Sequence, residues 1–250
     1  MPPRTLLILG GTTEAAALAR AVADAGSGGI DVVTSLAGRL APRGNIPGRV
    51  RIGGFGGTGG LARYIEEERI AAVIDATHPF AALISAHAAA ACAEAGVPRL
   101  AVVRPPWRPE PGDRWREVDD FAEAARLVSR IGRRAFLTTG PGGVAAFAGA
   151  ADVWFLVRVF APPASPLPLP RHAVIVARPP FTLDSERTLF ARHRIDTLVT
   201  KQSGGPTEAK LAAAREAGVN VIMVRRPPPP PGRVVSSVAE ALAWLHGLSG

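Results

Sequence analysis

Short apolar runs alternate along the chain with longer Ala-rich stretches, a spacing that predicts repeated strand–helix–strand units. Residues 5–9 (TLLIL) read as a strand, Gly10-Gly-Thr-Thr-Glu14 as a tight turn, and an Ala-rich helix follows to about residue 25. Strands are predicted at 30–34, 50–52, 71–75 and 100–103, with helices at 60–68 and 80–95. Beyond residue 134 the plan recurs, with strands at 135–138, 153–157, 174–177, 197–200 and 221–224 and helices at 207–217 and 237–247. The strands are near-continuously apolar rather than alternating, which predicts parallel sheets covered on both faces.

The two halves also match each other. RIAAVIDATH (69–78) leads to EAGV (94–97), VRPP (103–106) and a helix containing EAARL (123–127). RIDTLVTK (194–201) leads to EAGV (216–219), VRRP (224–227) and a helix containing EALAW (240–244). Five landmarks in the same order predict an α/β protein of two similar Rossmann-like, doubly wound domains, 1–131 and 132–250, with a cleft between them. The five prolines 227–231 read as a rigid extended connector. The matching places Asp75-Ala-Thr-His-Pro79 and Thr200-Lys-Gln-Ser-Gly204 at equivalent positions, each beyond the carboxyl end of a strand, where open α/β sheets bind ligands.

Composition narrows the function classes. With 47% hydrophobic and 20% charged residues the chain can bury a core. A single cysteine, Cys92, excludes a disulfide framework and a Cys-based metal centre, and the five scattered histidines lack metal-ligand spacing, so no metal site is expected. No apolar run reaches membrane-spanning length and no signal segment is evident, so a soluble, cytoplasmic monomer with no membrane partner is expected. Residues 1–125 carry 13 basic and 14 acidic side chains, whereas 126–250 carry 16 and 7. The basic half suits a polyanionic partner. Nucleic acid is not expected, because aromatics are few and no recognition motif is present. Of the 29 basic residues only Lys201 and Lys210 are lysines. Lys201 reads either as a chance survivor in an Arg-biased composition or as a site that wants a compact ammonium; Lys210 reads as a helix-surface residue.

Gly10, Gly11, Thr12 and Thr13 close the first strand and open a helix, where bare backbone N–H groups and the helix dipole favour a pyrophosphate. The alternative is a plain tight turn with Glu14 as a helix-terminal charge. The second predicted strand ends in Thr34 and Ser35 with Arg39 four residues on, and Asp31 lies at its other end. Hydroxyls and an arginine suit a 2′-phosphate, which favours NADPH over NADH as cofactor; the alternative is that Arg39 is an ordinary solvated arginine. Six glycines in 53–60 allow close backbone approach to a flat ring or a phosphate. His78 reads as a structural histidine or as one facing the cofactor. The hydroxyls and glycines at 138–143 and 203–205 could hold carboxylates.

LGGTTEA (9–15), VIDATHPFA (73–81) and LVTKQSGG (198–205), with RPPW (104–107) and GDRW (112–115), together resemble the precorrin-6A reductases of cobalamin biosynthesis. The resemblance spans essentially the whole chain and departs only in proline-rich loops. It implies an NADPH-dependent oxidoreductase that delivers a hydride to a ring carbon of precorrin-6A, a tetrapyrrole bearing many carboxylates, giving precorrin-6B. It further implies that Gly10, Gly11, Thr12 and Thr13 hold the pyrophosphate and Ser35 and Arg39 the 2′-phosphate. Gly53, Gly54, Asp75, Thr77 and His78 would border the ribose and nicotinamide. Thr139, Gly140, Lys201, Ser203 and Gly204 would engage the macrocycle, with Lys201 and His78 as the catalytic candidates. The cobalt-containing substrate of the anaerobic branch stays open, and so does a non-catalytic polyanion-binding protein.

Overall fold

A computed structural model describes residues 4–25, 29–37 and 45–248. In chain order the first elements are β1 (Arg4–Leu9), α1 (Thr13–Asp24), β2 (Ile30–Leu36), β3 (Arg49–Ile52), α2 (Gly57–Glu67), β4 (Ile70–Asp75), α3 (Ala82–Glu94) and β5 (Arg99–Val102). Then follow β6 (Arg114–Val118), α4 (Phe121–Ile131), β7 (Arg134–Leu137), α5 (Pro141–Val144), β8 (Trp154–Val159) and β9 (His172–Val176). The chain closes with α6 (Leu183–His193), β10 (Thr197–Lys201), α7 (Ala209–Glu216), β11 (Asn220–Val224), β12 (Arg233–Val235) and α8 (Val238–Gly247).

These strands form two six-stranded sheets, β3-β2-β1-β4-β5-β12 and β9-β8-β7-β10-β11-β6, and the paired strands run parallel throughout. The first sheet has the Rossmann order, in which the chain starts in the middle, moves to one edge and returns to build the other; the second has the same layout except that its edge strand β6 comes first in the chain. The order reverses between β1 and β4 in one sheet and between β7 and β10 in the other.

Two compact units result, one of residues 1–105 with 227–250 and the other of 106–226. This differs from the expected division at residue 131. The sequence repeat is real, but its last strand–helix pair is exchanged. β6 and α4 end the first repeat yet complete the second sheet, where α4 packs on β6, β10 and β11. β12 and α8 end the second repeat yet complete the first, with α8 against α1 and β5. The pentaproline therefore begins where the chain re-enters the first unit. Neither exchanged strand was anticipated. Each is a short edge strand with mostly exposed side chains and lacks the apolar run that marks the interior strands.

Both faces of the first sheet are covered. Ala15, Leu18, Ala19 and Val22 recur at helical spacing on α1 and pack with α8 against Leu6, Ile8, Ala72 and Ile74. Leu61, Ile65, Ala88, Ala91 and Cys92 of α2 and α3 cover Leu7, Leu9 and Val73 on the other face. In the second unit Phe136, Leu156, Leu198, Val221 and Met223 pack with Phe190, Leu211 and Trp107. Capping residues set several helix starts: Thr12 accepts from Ala15 N, Asp120 from Glu123 N, and Ser237 and Glu240 form a reciprocal box.

Candidate functional site

In the first unit the switch point brings the β1–α1 turn beside the loop after β4. Gly11 holds a φ of +103°, and a side chain there would meet nothing within 4 Å, so the turn is strained for other residues and open above. The Thr12 hydroxyl joins the two loops: it donates to Ala76 O at 2.6 Å and accepts from Ala15 N at 3.1 Å. Thr13 donates to Glu14 at 3.1 Å. Both threonine hydroxyls are thus engaged within the protein, and what the turn offers a ligand is the backbone amides of the first helical turn, which have no partner inside the helix. Glu14 would repel an anion there, but Arg104 lies 3.2 Å from its carboxylate.

The loop after β4 is built around Asp75. This side chain is 4% exposed and accepts from Thr77 N at 3.2 Å and Thr77 Oγ1 at 2.7 Å, with Arg99 at 3.5 Å. Asp75 therefore shapes the loop from beneath, a different task from lining a ribose. Thr77 contacts Ser85 at 3.2 Å. His78 is half-buried, and its Nδ1 accepts from Phe80 N at 3.1 Å, so in the neutral ring the proton sits on Nε2.

The end of β2 lies on the other side of the turn, where Gly10 N donates to Ser35 O at 2.9 Å. Ser35 is buried. Thr34 is wholly buried under the turn with its Cγ2 against Gly10, and its hydroxyl has no hydrogen-bond partner. It cannot reach a ligand as the sequence reading supposed. Arg39 lies outside the described residues. Gly53 N donates to Leu36 O at 2.9 Å, and both Gly53 and Gly54 face open space. Gly60 is needed for packing, because a Cβ there would collide with the Phe55 carbonyl.

In the second unit the switch point brings Thr139 and Gly140, after β7, beside Lys201 at the end of β10. A Cβ on Gly140 would lie 3.9 Å from Lys201 Nζ. Burial pulls the Lys201 ammonium below the usual lysine range. Thr139 is 2% exposed and its hydroxyl turns to Gly140 O at 3.3 Å, so its backbone is better placed than its side chain to meet a ligand. Ser203 N donates to Lys201 O at 2.6 Å, a tight turn followed by Gly204 with a φ of +64°.

Trp107 fixes this loop, a role the sequence reading did not assign. Buried Gln202 accepts from Trp107 N at 2.9 Å and donates to Trp107 O at 3.0 Å, and the Trp107 indole donates to Gly205 O at 3.0 Å. Lys210 sits 4.3 Å over the indole ring and donates to Thr207 O at 2.5 Å. It is buried, not on the helix surface as expected, because its ammonium closes the loop from below. The only hint in the sequence was the co-occurrence of RPPW with TKQSGG; which side chain of that loop turns inward is not periodic information.

Among the described residues no three His, Cys, Asp or Glu side chains cluster as a metal site, and no helix is long and apolar enough to cross a membrane.

Two Rossmann-like units, each presenting glycine-containing loops at its switch point, define a protein of the Rossmann-like α/β class. The precorrin-6x reductase CbiJ/CobK family profile matches residues 5–246. The precorrin-6A reductase of Mycobacterium tuberculosis is 49% identical over 248 residues, covering 97% of this chain and 98% of that one. The precorrin-6A reductase of Rhodococcus erythropolis is 48% identical over 242 residues, covering 96% of each chain. A solved structure titled CobK precorrin-6A reductase superposes with a TM-score of 0.92 at 42% identity, covering 99% of this chain and 98% of that one. The chain belongs to the precorrin-6x reductase family and is an oxidoreductase.

Proposed function

We propose that this protein reduces precorrin-6A to precorrin-6B with NADPH in cobalamin biosynthesis, as a cytoplasmic monomer. The observation that carries the reading is the pair of switch-point loops: an open glycine turn at a helix N-terminus in one unit, and a half-buried lysine beside Gly140 in the other. The first suits a dinucleotide and the second a carboxylate-rich ligand. Family membership supports the substrate assignment.

The amides of Gly11, Thr12 and Thr13 hold the pyrophosphate on a turn that Gly10, its own amide bonded to Ser35 O, brings close to it, while Asp75 and Thr12 keep the two flanking loops in register. Ser35 and Arg39 are assigned to the 2′-phosphate, and Gly53, Gly54, Thr77 and His78 to the ribose and nicotinamide. When bound, NADPH supplies the hydride that a macrocycle ring carbon accepts, and the neighbouring carbon takes a proton. Lys201, Thr139, Gly140, Ser203 and Gly204 orient the macrocycle by its carboxylates. Lys201 is a stronger acid than a solvated lysine, because burial disfavours its charge. It and His78 Nε2–H are the two candidate proton donors.

Calorimetric titration with NADPH and NADH tests the cofactor half of this reading. Binding of NADPH well above NADH is expected; equal binding, or none in the presence of the macrocycle, would refute it.

A further inference from the structure

We infer that Arg51 reads the 2′-phosphate of the cofactor's adenosine and so sets the preference between NADPH and NADH. The inference rests on the dinucleotide reading of the first unit. Arg51 pairs with Ser35 in the parallel register of β2 and β3. Paired residues in adjacent parallel strands share a face, and Ser35 lies two residues beyond Val33, which packs on the α2–α3 side. Arg51 is on that side too, its guanidinium 3.9 Å from the Phe55 ring centre and 5.2 Å from that of Tyr64.

The ends of three strands are tied in a row: Gly10 N to Ser35 O, and Leu36 O to Gly53 N, each at 2.9 Å. Arg51 continues this row, donating from Nη1 to Gly53 O at 2.6 Å and from Nη2 to Gly54 O at 2.8 Å. It therefore stands about 10 Å, two strand spacings, from the pyrophosphate turn. An adenosine diphosphate laid from that turn across the strand ends reaches it.

Charge separates Arg51 from its neighbour. Arg49, two residues earlier, pairs with Glu68 at 2.8 Å and Asp31 at 3.9 Å. Among the described residues no carboxylate pairs with Arg51, although it is half-buried. Its partners are two carbonyls and two aromatic faces, which fix the planar fork but do not neutralise it. A guanidinium has five N–H donors. Among the described residues two are used, and the rest remain for an anion on a side chain already held in place.

The test is calorimetric titration of the full chain with 2′,5′-ADP and with 5′-AMP, which differ only in the 2′-phosphate. Wild type is compared with Arg51→Met, which keeps an apolar stem against the rings, and with Arg51→Lys, which keeps the charge. Arg51→Met should weaken 2′,5′-ADP about 10- to 100-fold, the range for losing charged hydrogen bonds, and leave 5′-AMP unchanged. Arg51→Lys should fall between, because an ammonium replaces the fork. Equal weakening of both nucleotides would reduce Arg51 to a staple of the glycine turn and overturn the inference, as would an effect on 2′,5′-ADP seen only in Arg39→Ala. Wild type that binds the two nucleotides equally would overturn the NADPH reading beneath it.

Discussion

Replacing Gln202 by Leu should destabilise the second unit and loosen the loop that carries Lys201 and Ser203. The side chain is 8% exposed and satisfies both the N–H and the C=O of Trp107, at 2.9 and 3.0 Å. Leucine fills similar space but leaves both groups buried without partners, at roughly 1–3 kcal/mol each. The expected loss is about 2–6 kcal/mol. With a urea dependence near 2 kcal/mol per molar, that is a fall in the unfolding midpoint of about 1–3 M. Gln202→Glu sharpens the test. Its ionised carboxylate can accept from Trp107 N but cannot donate to Trp107 O and is a buried unpaired charge, so near neutral pH it should lose at least as much as leucine. The ionised form faces a carbonyl, so the folded state favours the protonated one, and the deficit against wild type should shrink as pH falls. The KM for the macrocycle should rise in both variants while NADPH affinity holds. A Gln202→Leu protein within about 0.5 kcal/mol of wild type, with an unchanged KM, would refute the anchoring role of Trp107.

Four further expectations can be checked directly. Thr34→Val should leave stability unchanged or raise it by up to about 1 kcal/mol, because the buried hydroxyl has no partner to lose; chemical denaturation reads this. Lys201→Ala should raise the macrocycle KM or lower kcat with NADPH affinity little changed, and equal damage to NADPH binding would move Lys201 to the cofactor side. The Lys201 ammonium is held below its unfolded value by burial, so the unfolded state keeps the proton to higher pH. Wild-type stability should therefore gain relative to Lys201→Met as pH rises from the lowered folded value toward about 10.4, as read by denaturation across that alkaline window. Burial pushes the Cys92 thiol up to about 11, so alkylation of the native protein at neutral pH should be slow and should accelerate only on unfolding.

Much of this architecture was legible in the chain. Runs such as TLLIL, buried on both faces, signalled parallel strands, and the matched landmarks EAGV and VR-x-P signalled two related halves. What the repeat could not reveal was the exchange of its last strand–helix pair, because pairing is decided by neighbours distant in sequence. RWREV and RVV are edge strands with arginines facing solvent, so their pattern carries little hydrophobic signal. Helix α6 was missed for a related reason: it fully buries only Phe190 and Glu186, the latter paired with Arg158 at 2.6 Å, and its other apolar residues, Leu183, Leu189 and Ala191, are scattered among polar ones. At the site the glycine turns themselves were readable, since position after a strand implies them. The inward commitments of Thr12, Asp75, Thr139 and Lys210 were not. Each depends on a partner, such as Ala76 O or the Trp107 ring, that only the folded chain brings near.

The most direct test of the account is turnover of precorrin-6A under anaerobic conditions, with nicotinamide absorbance and macrocycle mass followed together. The account predicts that NADPH is consumed one for one with a macrocycle gaining two hydrogens, and that NADH at the same concentration supports much slower turnover. Failure to consume either nicotinamide, or equal rates with both, would contradict it.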